Sequence, residues 1–142
     1  MGWTFYNSSG QQMRATADKT ATQAEMEAAS STTAYVSPGR TQFHPGVAKA
    51  YCKITNAAGA PATGSYNVAS GALNGDGDYT MTWDTDFSSV NYTAIAVCVG
   101  GDTRVATVTN LAAGTCDVFT FNANADESKE VSDAMVVAFG DQ

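Results

Sequence analysis

The chain has 142 residues, enough for one ordinary domain with a core, and carries 7 Lys and Arg against 14 Asp and Glu. A formal net charge of −7 argues against a nucleic-acid partner or an anionic membrane surface, because both need a basic protein face. The longest apolar runs fall far below the roughly 18 residues of a membrane span, and "MGWTFYNSSG" has no basic leader region. We therefore expect a protein made in the cytosol, with neither nucleic acid nor membrane insertion among its interactions.

Residues 1–19 form the first of three zones. Alternating side chains from Trp3 to Tyr6 predict a strand, and the "NSSG" that follows predicts a turn. Three aromatic residues near a terminus need a surface on which to pack. Trp3, Phe5 and Tyr6 are therefore the candidate attachment residues of this zone.

Residues 20–42 predict one short helix and a turn, which together form a linker. Thr22 and Glu25 have the S/T-x-x-E spacing of a capping box, and the helix is expected to end by Ser30. "SPGR" has the composition of a turn. Isolated helices shorter than about 12–15 residues are marginal, so this helix needs packing partners in its own chain or in other copies.

Residues 43–142 predict a β domain. Runs of strand length, rich in Val, Thr, Ala and aromatic residues, alternate with segments of turn composition. The predicted strands are 47–54, 65–70, 78–84, 92–99, 103–111, 115–122 and 134–139. Seven short strands with such turns indicate a mainly β fold, an antiparallel β-sandwich preceded by an N-terminal strand and one short helix.

The sequence has few residues of the types that form catalytic or metal sites. Cys52, Cys98 and Cys116 are odd in number and widely spaced, which predicts free, buried thiols. His44 is the only histidine and lies in the turn-like "FHPG", so no Ser-His-Asp or Cys-His arrangement exists away from it. We expect no enzyme, no cofactor and no metal site.

The loops offer the candidate contact residues, because sandwich strands are committed to packing. Three segments have suitable polar, glycine-rich or charged composition: 71–78, 100–104 and 122–130. The candidate residues for a receptor or partner are Asn74, Asp76, Asp78, Tyr79, Asp102 and Arg104. An aromatic ring beside hydrogen-bonding groups is a usual means of holding a sugar. The sequence leaves open whether calcium binds at Asp76 and Asp78, and whether these loops are plain solvated turns.

Several stretches resemble the tail-fibre and appendage proteins of tailed bacteriophages. The resemblance rests on "MGWTFYNSSGQQMR", "ATQAEMEAASSTTAYVSPGR", "FHPGVAKAYCKI", "SYNVASGALNGDGDYTMTWDTDFSSVNYTAIAV" and "VVAFGDQ", and it covers nearly the whole chain. It is strongest to the carboxy-terminal β-rich domains that follow a "TQAEMEA"-type linker. Many relatives carry a long fibre shaft before this region, which this sequence lacks.

The resemblance implies a virion protein, assembled in the cytoplasm of a host bacterium. It suggests a homotrimer that joins other virion proteins through its N-terminus and projects a β domain towards a host surface glycan or protein. A homotrimer would also supply the packing partners that the short helix needs. A second class stays open, a capsid decoration, head-fibre or collar protein with a structural role.

Overall fold

The structure is a computed structural model that describes residues 5–6, 8–10, 12–13, 20–31, 34–55, 59–62, 64–100, 103–124 and 129–142. The chain divides into two compact units, residues 1–44 and 45–142. The β domain predicted to start at residue 43 begins close to this boundary. In the described residues no helix is long and apolar enough to cross a membrane.

The first unit contains a two-stranded hairpin and two short helices. Strand β1 (Phe5–Tyr6) pairs antiparallel with β2 (Gln12–Met13), and residues 8–10 turn between them. Helix α1 (Gln23–Glu27) begins with the predicted capping box, which is confirmed. The Glu25 amide donates to Thr22 Oγ1 over 3.2 Å, and the Thr22 amide donates to Glu25 Oε2 over 2.9 Å.

A second helix corrects the prediction of a single one. Helix α2 (Pro38–Thr41) occupies most of the segment predicted as a turn. Proline suits the first position of a helix because the amide it lacks would have no partner there. Four residues make only one turn, which explains why the composition resembled that of a turn.

The second unit is built from two antiparallel sheets, and the prediction of a mainly β, sandwich-like fold is confirmed. The three-stranded sheet has the order β3-β9-β6 and the four-stranded sheet the order β4-β5-β8-β7. Their bounds are β3 (Ala50–Ile54), β4 (Val68–Gly75), β5 (Asp78–Trp83), β6 (Thr93–Cys98), β7 (Arg104–Ala112), β8 (Thr115–Asn122) and β9 (Ala134–Phe139). Each of the seven strands of this unit overlaps one of the seven predicted strands.

Side chains of both sheets form one hydrophobic core. Along β5, Tyr79, Met81 and Trp83 are buried, while the residues between them are only partly buried. This period of two is what a strand with one buried face produces. The three-stranded sheet contributes residues such as Ile54 and Val136 to the same cluster.

An aromatic cluster fills one part of this core. The rings of Phe87 and Tyr92 stack with centroids 4.0 Å apart, and Trp83 meets both edge-on. Trp83 Nε1 donates to the Tyr92 hydroxyl, which itself donates to the carbonyl of Thr115. A Cβ at Gly140 would lie 2.5 Å from the Cβ of Tyr92, so the close packing here requires glycine.

Candidate functional site

The segment 71–78, predicted as a contact loop, is mostly strand, and this prediction is corrected. Strand β4 continues to Gly75, so only Asp76 and Gly77 connect it to β5. Leu73 pairs with Tyr79 and packs against the core, which extends the hairpin almost to its tip. Gly77 has a φ of +62°, a conformation that favours glycine in such a tight turn.

Tyr79 was predicted to offer an aromatic face to a sugar, and this is wrong. Its side chain is fully buried. The hydroxyl donates to the carbonyl oxygen of Ser132 over 3.0 Å and accepts from the Ser132 amide over 3.2 Å. Tyr79 is therefore a core residue that fastens the chain just before β9.

Five side chains on the outer face of the four-stranded sheet form a connected hydrogen-bond network that we call the polar ladder. Asn74 Nδ2 donates to Asp78 Oδ1 (3.3 Å) and to Thr80 Oγ1 (2.8 Å). The Thr80 hydroxyl donates to Asp117 Oδ1 (2.6 Å), and Asn110 Nδ2 donates to Asp117 Oδ2 (2.7 Å). The ladder therefore touches all four strands of the sheet.

The polar ladder brings two of the predicted contact residues, Asn74 and Asp78, onto one surface. Asp76 lies exposed in the neighbouring turn. Each carboxylate oxygen of Asp117 accepts one bond within the ladder and retains a further lone pair that a ligand hydroxyl could use. The sequence did not point to Asp117 or Asn110, because their relation to Asn74 depends on strand pairing.

The sequence left open whether calcium binds at Asp76 and Asp78. In the structure the side chain of Lys129, a cation of the protein itself, lies beside Asp78. Lys129 Nζ lies 3.0 Å from Asp78 Oδ2 and 3.6 Å from the ring centroid of Phe119. An ammonium group therefore already balances this carboxylate. Within the part of the chain that the structure describes, no group of three or more His, Cys, Asp or Glu residues could hold a metal ion.

Arg104, another predicted contact residue, forms an ion pair and a hydrogen bond with residues of its own chain. Its Nη2 lies 2.6 Å from Glu130 Oε1, and its Nη1 donates to the carbonyl of Val131 over 3.0 Å. Glu130 Oε2 also accepts from Asn122 Nδ2. Arg104 thus ties the beginning of β7 to the segment that leads into β9. Asp102 lies outside the described residues.

The predicted attachment residues are only partly described. Trp3 lies outside the described residues, and Phe5 and Tyr6 are described through their backbone pairing with Met13 and Gln12. Their assignment as a virion attachment site stays a prediction.

The outer face of the three-stranded sheet carries large apolar side chains, and we call it the apolar face. In cross-strand register its outward residues form two rows, Tyr51–Val137–Ile95 and Lys53–Met135–Val97. Tyr66 stacks on Tyr51 with ring centroids 5.8 Å apart and extends the first row. About half of the surface of Tyr51, Tyr66, Ile95, Val97 and Met135 is exposed. A groove of about 510 Å³ runs over this face, with Ala62, Gly64 and Ser65 along its side.

The apolar face was not predicted from the sequence, although two of its strands carry a local signal for it. "TAIAVCV" and "AMVVAF" lack the polar residue at every second position that a strand with one solvated face usually shows. Continuous apolar runs are typical of strands covered on both sides. An ordinary sandwich strand, in contrast, is covered on one side only.

The thiols are free, as predicted. Cys52 and Cys116 are buried in the core, and Cys98 is partly buried. Burial raises the pKa of Cys52 to about 11 and that of Cys116 to about 12, and it also raises the pKa of Cys98. These thiols stay protonated at neutral pH, which makes them weak nucleophiles.

Comparison of the chain with models of known protein families, with curated proteins and with solved structures finds no match.

Proposed function

We propose that this chain is a virion protein of a tailed bacteriophage, a short, homotrimeric, tail-fibre-like appendage whose β domain serves host-surface attachment. In this proposal the N-terminal segment with Trp3, Phe5 and Tyr6 joins other virion proteins. The protein acts by binding, and we assign it no catalytic role.

The observation that carries the proposal is the opposite chemistry of the two outer sheet faces. The four-stranded sheet presents the polar ladder, in which amide, hydroxyl and carboxylate groups are held in fixed positions. The three-stranded sheet presents the apolar face, whose exposed Ile95, Val97 and Met135 would lie in water in a solitary domain. A domain with one face suited to assembly and another suited to polar ligands fits a self-associating adhesive protein.

The polar ladder supports contact with a glycan more than with an apolar partner. Sugars offer many hydroxyl groups, which pair with side chains that can both donate and accept. Asn74 and Asn110 are exposed at opposite sides of the ladder, and Asp117 lies between them. Their mutual hydrogen bonds hold these groups in place before a ligand arrives, which lowers the entropy cost of binding.

Electron microscopy of virions that carry a labelled copy of the full chain tests the location. We expect the label on the tail. A label on the capsid or collar would instead identify a decoration, head-fibre or collar protein, and absence from particles would overturn the virion assignment.

Adsorption to host cells tests the role of the polar ladder. We expect virions with the double substitution Asn74→Ala and Asp117→Ala to adsorb less well, with the purified variant still melting cooperatively. Asn91→Ala, at an exposed loop position away from the ladder, is the matched control and should leave adsorption unchanged. Equal adsorption of wild type and double variant would show that the ladder does not contact the receptor.

A further inference from the structure

Residues 129–133 immediately precede β9, the central strand of the three-stranded sheet, and they contact both sheets. We propose that these five residues form an ionic clasp. The ionic clasp detaches from both sheets as one unit while the core stays folded, and the ionic strength sets how often it is open. This device belongs to the β domain itself, so its test is independent of the virion assignment.

Three ion pairs attach the ionic clasp to three different strands. Each joins a residue of the clasp to a strand residue of opposite charge: Lys129 to Asp78 of β5 over 3.0 Å, Glu130 to Arg104 of β7 over 2.6 Å and Asp133 to Lys53 of β3 over 2.9 Å. These side chains are 26–39% exposed. Because water and dissolved ions reach all of them, salt screens the attraction within each pair.

Backbone hydrogen bonds make the ionic clasp a single unit. Three of them connect it to β8, to β5 and to the end of β6: the Glu130 amide to the Thr120 carbonyl over 3.0 Å, the Ser132 amide to the Tyr79 hydroxyl over 3.2 Å and the Val99 amide to the Asp133 carbonyl over 2.9 Å. Successive anchors lie one or two residues apart, and an extended residue spans only about 3.5 Å. The chain is therefore too short to release one anchor while the next stays in place.

The ionic clasp has little apolar surface to hold it down. Val131 is the one apolar residue among its five, and it is only partly buried. The strands beneath are held by fully buried side chains such as Tyr79 and Val118. Segments with few buried apolar contacts open at a lower free energy than the core. We therefore expect the clasp to open without global unfolding, and salt to favour the open state.

Opening of the ionic clasp changes the polar ladder. In the closed state Lys129 Nζ lies 3.0 Å from Asp78 Oδ2 and 3.6 Å from the ring centroid of Phe119. In the open state the carboxylates of Asp78 and Asp117 lose this neighbouring ammonium group, and the ring of Phe119 is uncovered. The closed clasp thus balances the charge at one end of the ladder.

Hydrogen exchange of single amides, followed by NMR in the full-length chain, measures the opening. The reporting amides are those of Glu130, Ser132 and Val99, which the clasp protects. The reference amides are those of Met81 and Val118 in the central strands of the four-stranded sheet. Exchange is compared at about 20 mM and about 500 mM sodium chloride, between which the Debye length falls from roughly 20 Å to roughly 4 Å.

We expect the three reporting amides to share one degree of protection, below that of the reference amides. At the higher salt concentration they should exchange faster on the order of tenfold, because three partly exposed ion pairs are screened together. The reference amides should change little, since burial of apolar side chains holds their strands.

A variant without the clasp charges provides the comparison. Lys129→Gln, Glu130→Gln and Asp133→Asn together remove one positive and two negative charges, which raises the net charge by one. Asp84→Asn, at an exposed position, raises it by the same amount and is the matched control. We expect the triple variant to exchange at low salt as fast as the wild type does at high salt, and Asp84→Asn to behave as the wild type. Thermal melting checks that both variants are folded.

Three results would overturn the ionic clasp. Equal protection of reporting and reference amides would show that residues 129–133 open only with global unfolding. Different protection or different salt responses among the reporting amides would show that they do not open as one unit. A shared opening that salt leaves unchanged would show that the ion pairs do not control it. If the triple variant does not fold, the salt series on the wild type alone decides among these results.

Discussion

The hydroxyl of Tyr79 both donates to the carbonyl and accepts from the amide of Ser132, so one buried side chain satisfies two backbone groups. The contact joins β5 to the segment immediately before β9, across a separation of 53 residues in the chain. It fixes the path by which the chain enters the central strand of the three-stranded sheet.

Replacing Tyr79 by Phe removes both hydrogen bonds and keeps the ring. Because the amide and carbonyl of Ser132 would be left without these bonds in a buried position, we expect the free energy of unfolding to fall by about 2 kcal/mol or more. Urea denaturation measures this loss. Tyr51→Phe, at a half-exposed ring, is the control and should change the free energy by less than about 0.5 kcal/mol. Equal effects at the two positions would contradict the structural role of Tyr79.

Much of the fold could be predicted from the sequence because its signals are local. Strand runs are separated by turn residues, and the Thr22–Glu25 capping box depends on residues three positions apart. The side of the sheet on which Tyr79 lies also had a local signal, because Tyr79, Met81 and Trp83 alternate with polar residues along β5. The prediction that Tyr79 offers its ring to a ligand did not use this alternation.

The polar ladder, in contrast, could not be predicted from the sequence. Asn74, Asn110 and Asp117 lie on three strands, and their contact follows from the order β4-β5-β8-β7. A single sequence does not state which strands are neighbours. The apolar face differs, because the unbroken apolar runs of β6 and β9 are a local signal of the kind typical of strands covered on both sides.

Two glycines at the β4–β5 turn provide a second prediction. Gly77 has a φ of +62°, and a Cβ there would lie 2.5 Å from the carbonyl oxygen of Thr120, whereas a Cβ at Gly75 meets nothing within 4 Å. We expect Gly77→Ala to lower the free energy of unfolding by more than about 2 kcal/mol and Gly75→Ala to change it by less than about 0.5 kcal/mol. Chemical denaturation of both variants checks this, and a tolerated alanine at Gly77 would show that the turn relaxes.

The buried thiols predict a loss of stability at alkaline pH. The pKa of Cys52 rises from about 9 to about 11 and that of Cys116 to about 12 in the folded chain. Above pH 9 the unfolded chain therefore binds fewer protons than the folded chain, so the stabilisation present below pH 9 declines as the pH rises towards 11. The expected slope is up to about 1.4 kcal/mol per pH unit for each thiol.

Denaturation at several pH values between 8 and 11 measures this slope, in the wild type and in a Cys52→Ala, Cys116→Ala double variant. The double variant retains the other alkaline groups, so the difference between the two slopes belongs to the thiols. Identical slopes would show that the two thiols ionise as readily in the folded chain as in the unfolded one.

The pair of Arg104 and Glu130 provides the last prediction, which a double-mutant cycle tests. We expect Arg104→Gln and Glu130→Gln to destabilise the β domain by less together than the sum of their separate effects. The difference is the coupling energy, and we expect about 0.5–1 kcal/mol because both side chains are more than a quarter exposed and water screens their attraction. The coupling should shrink in 1 M salt, and Arg104→Gln should leave host adsorption unchanged. Fully additive effects would show that the ion pair does not contribute to stability. A loss of adsorption with Arg104→Gln at unchanged stability would instead assign Arg104 to the contact surface.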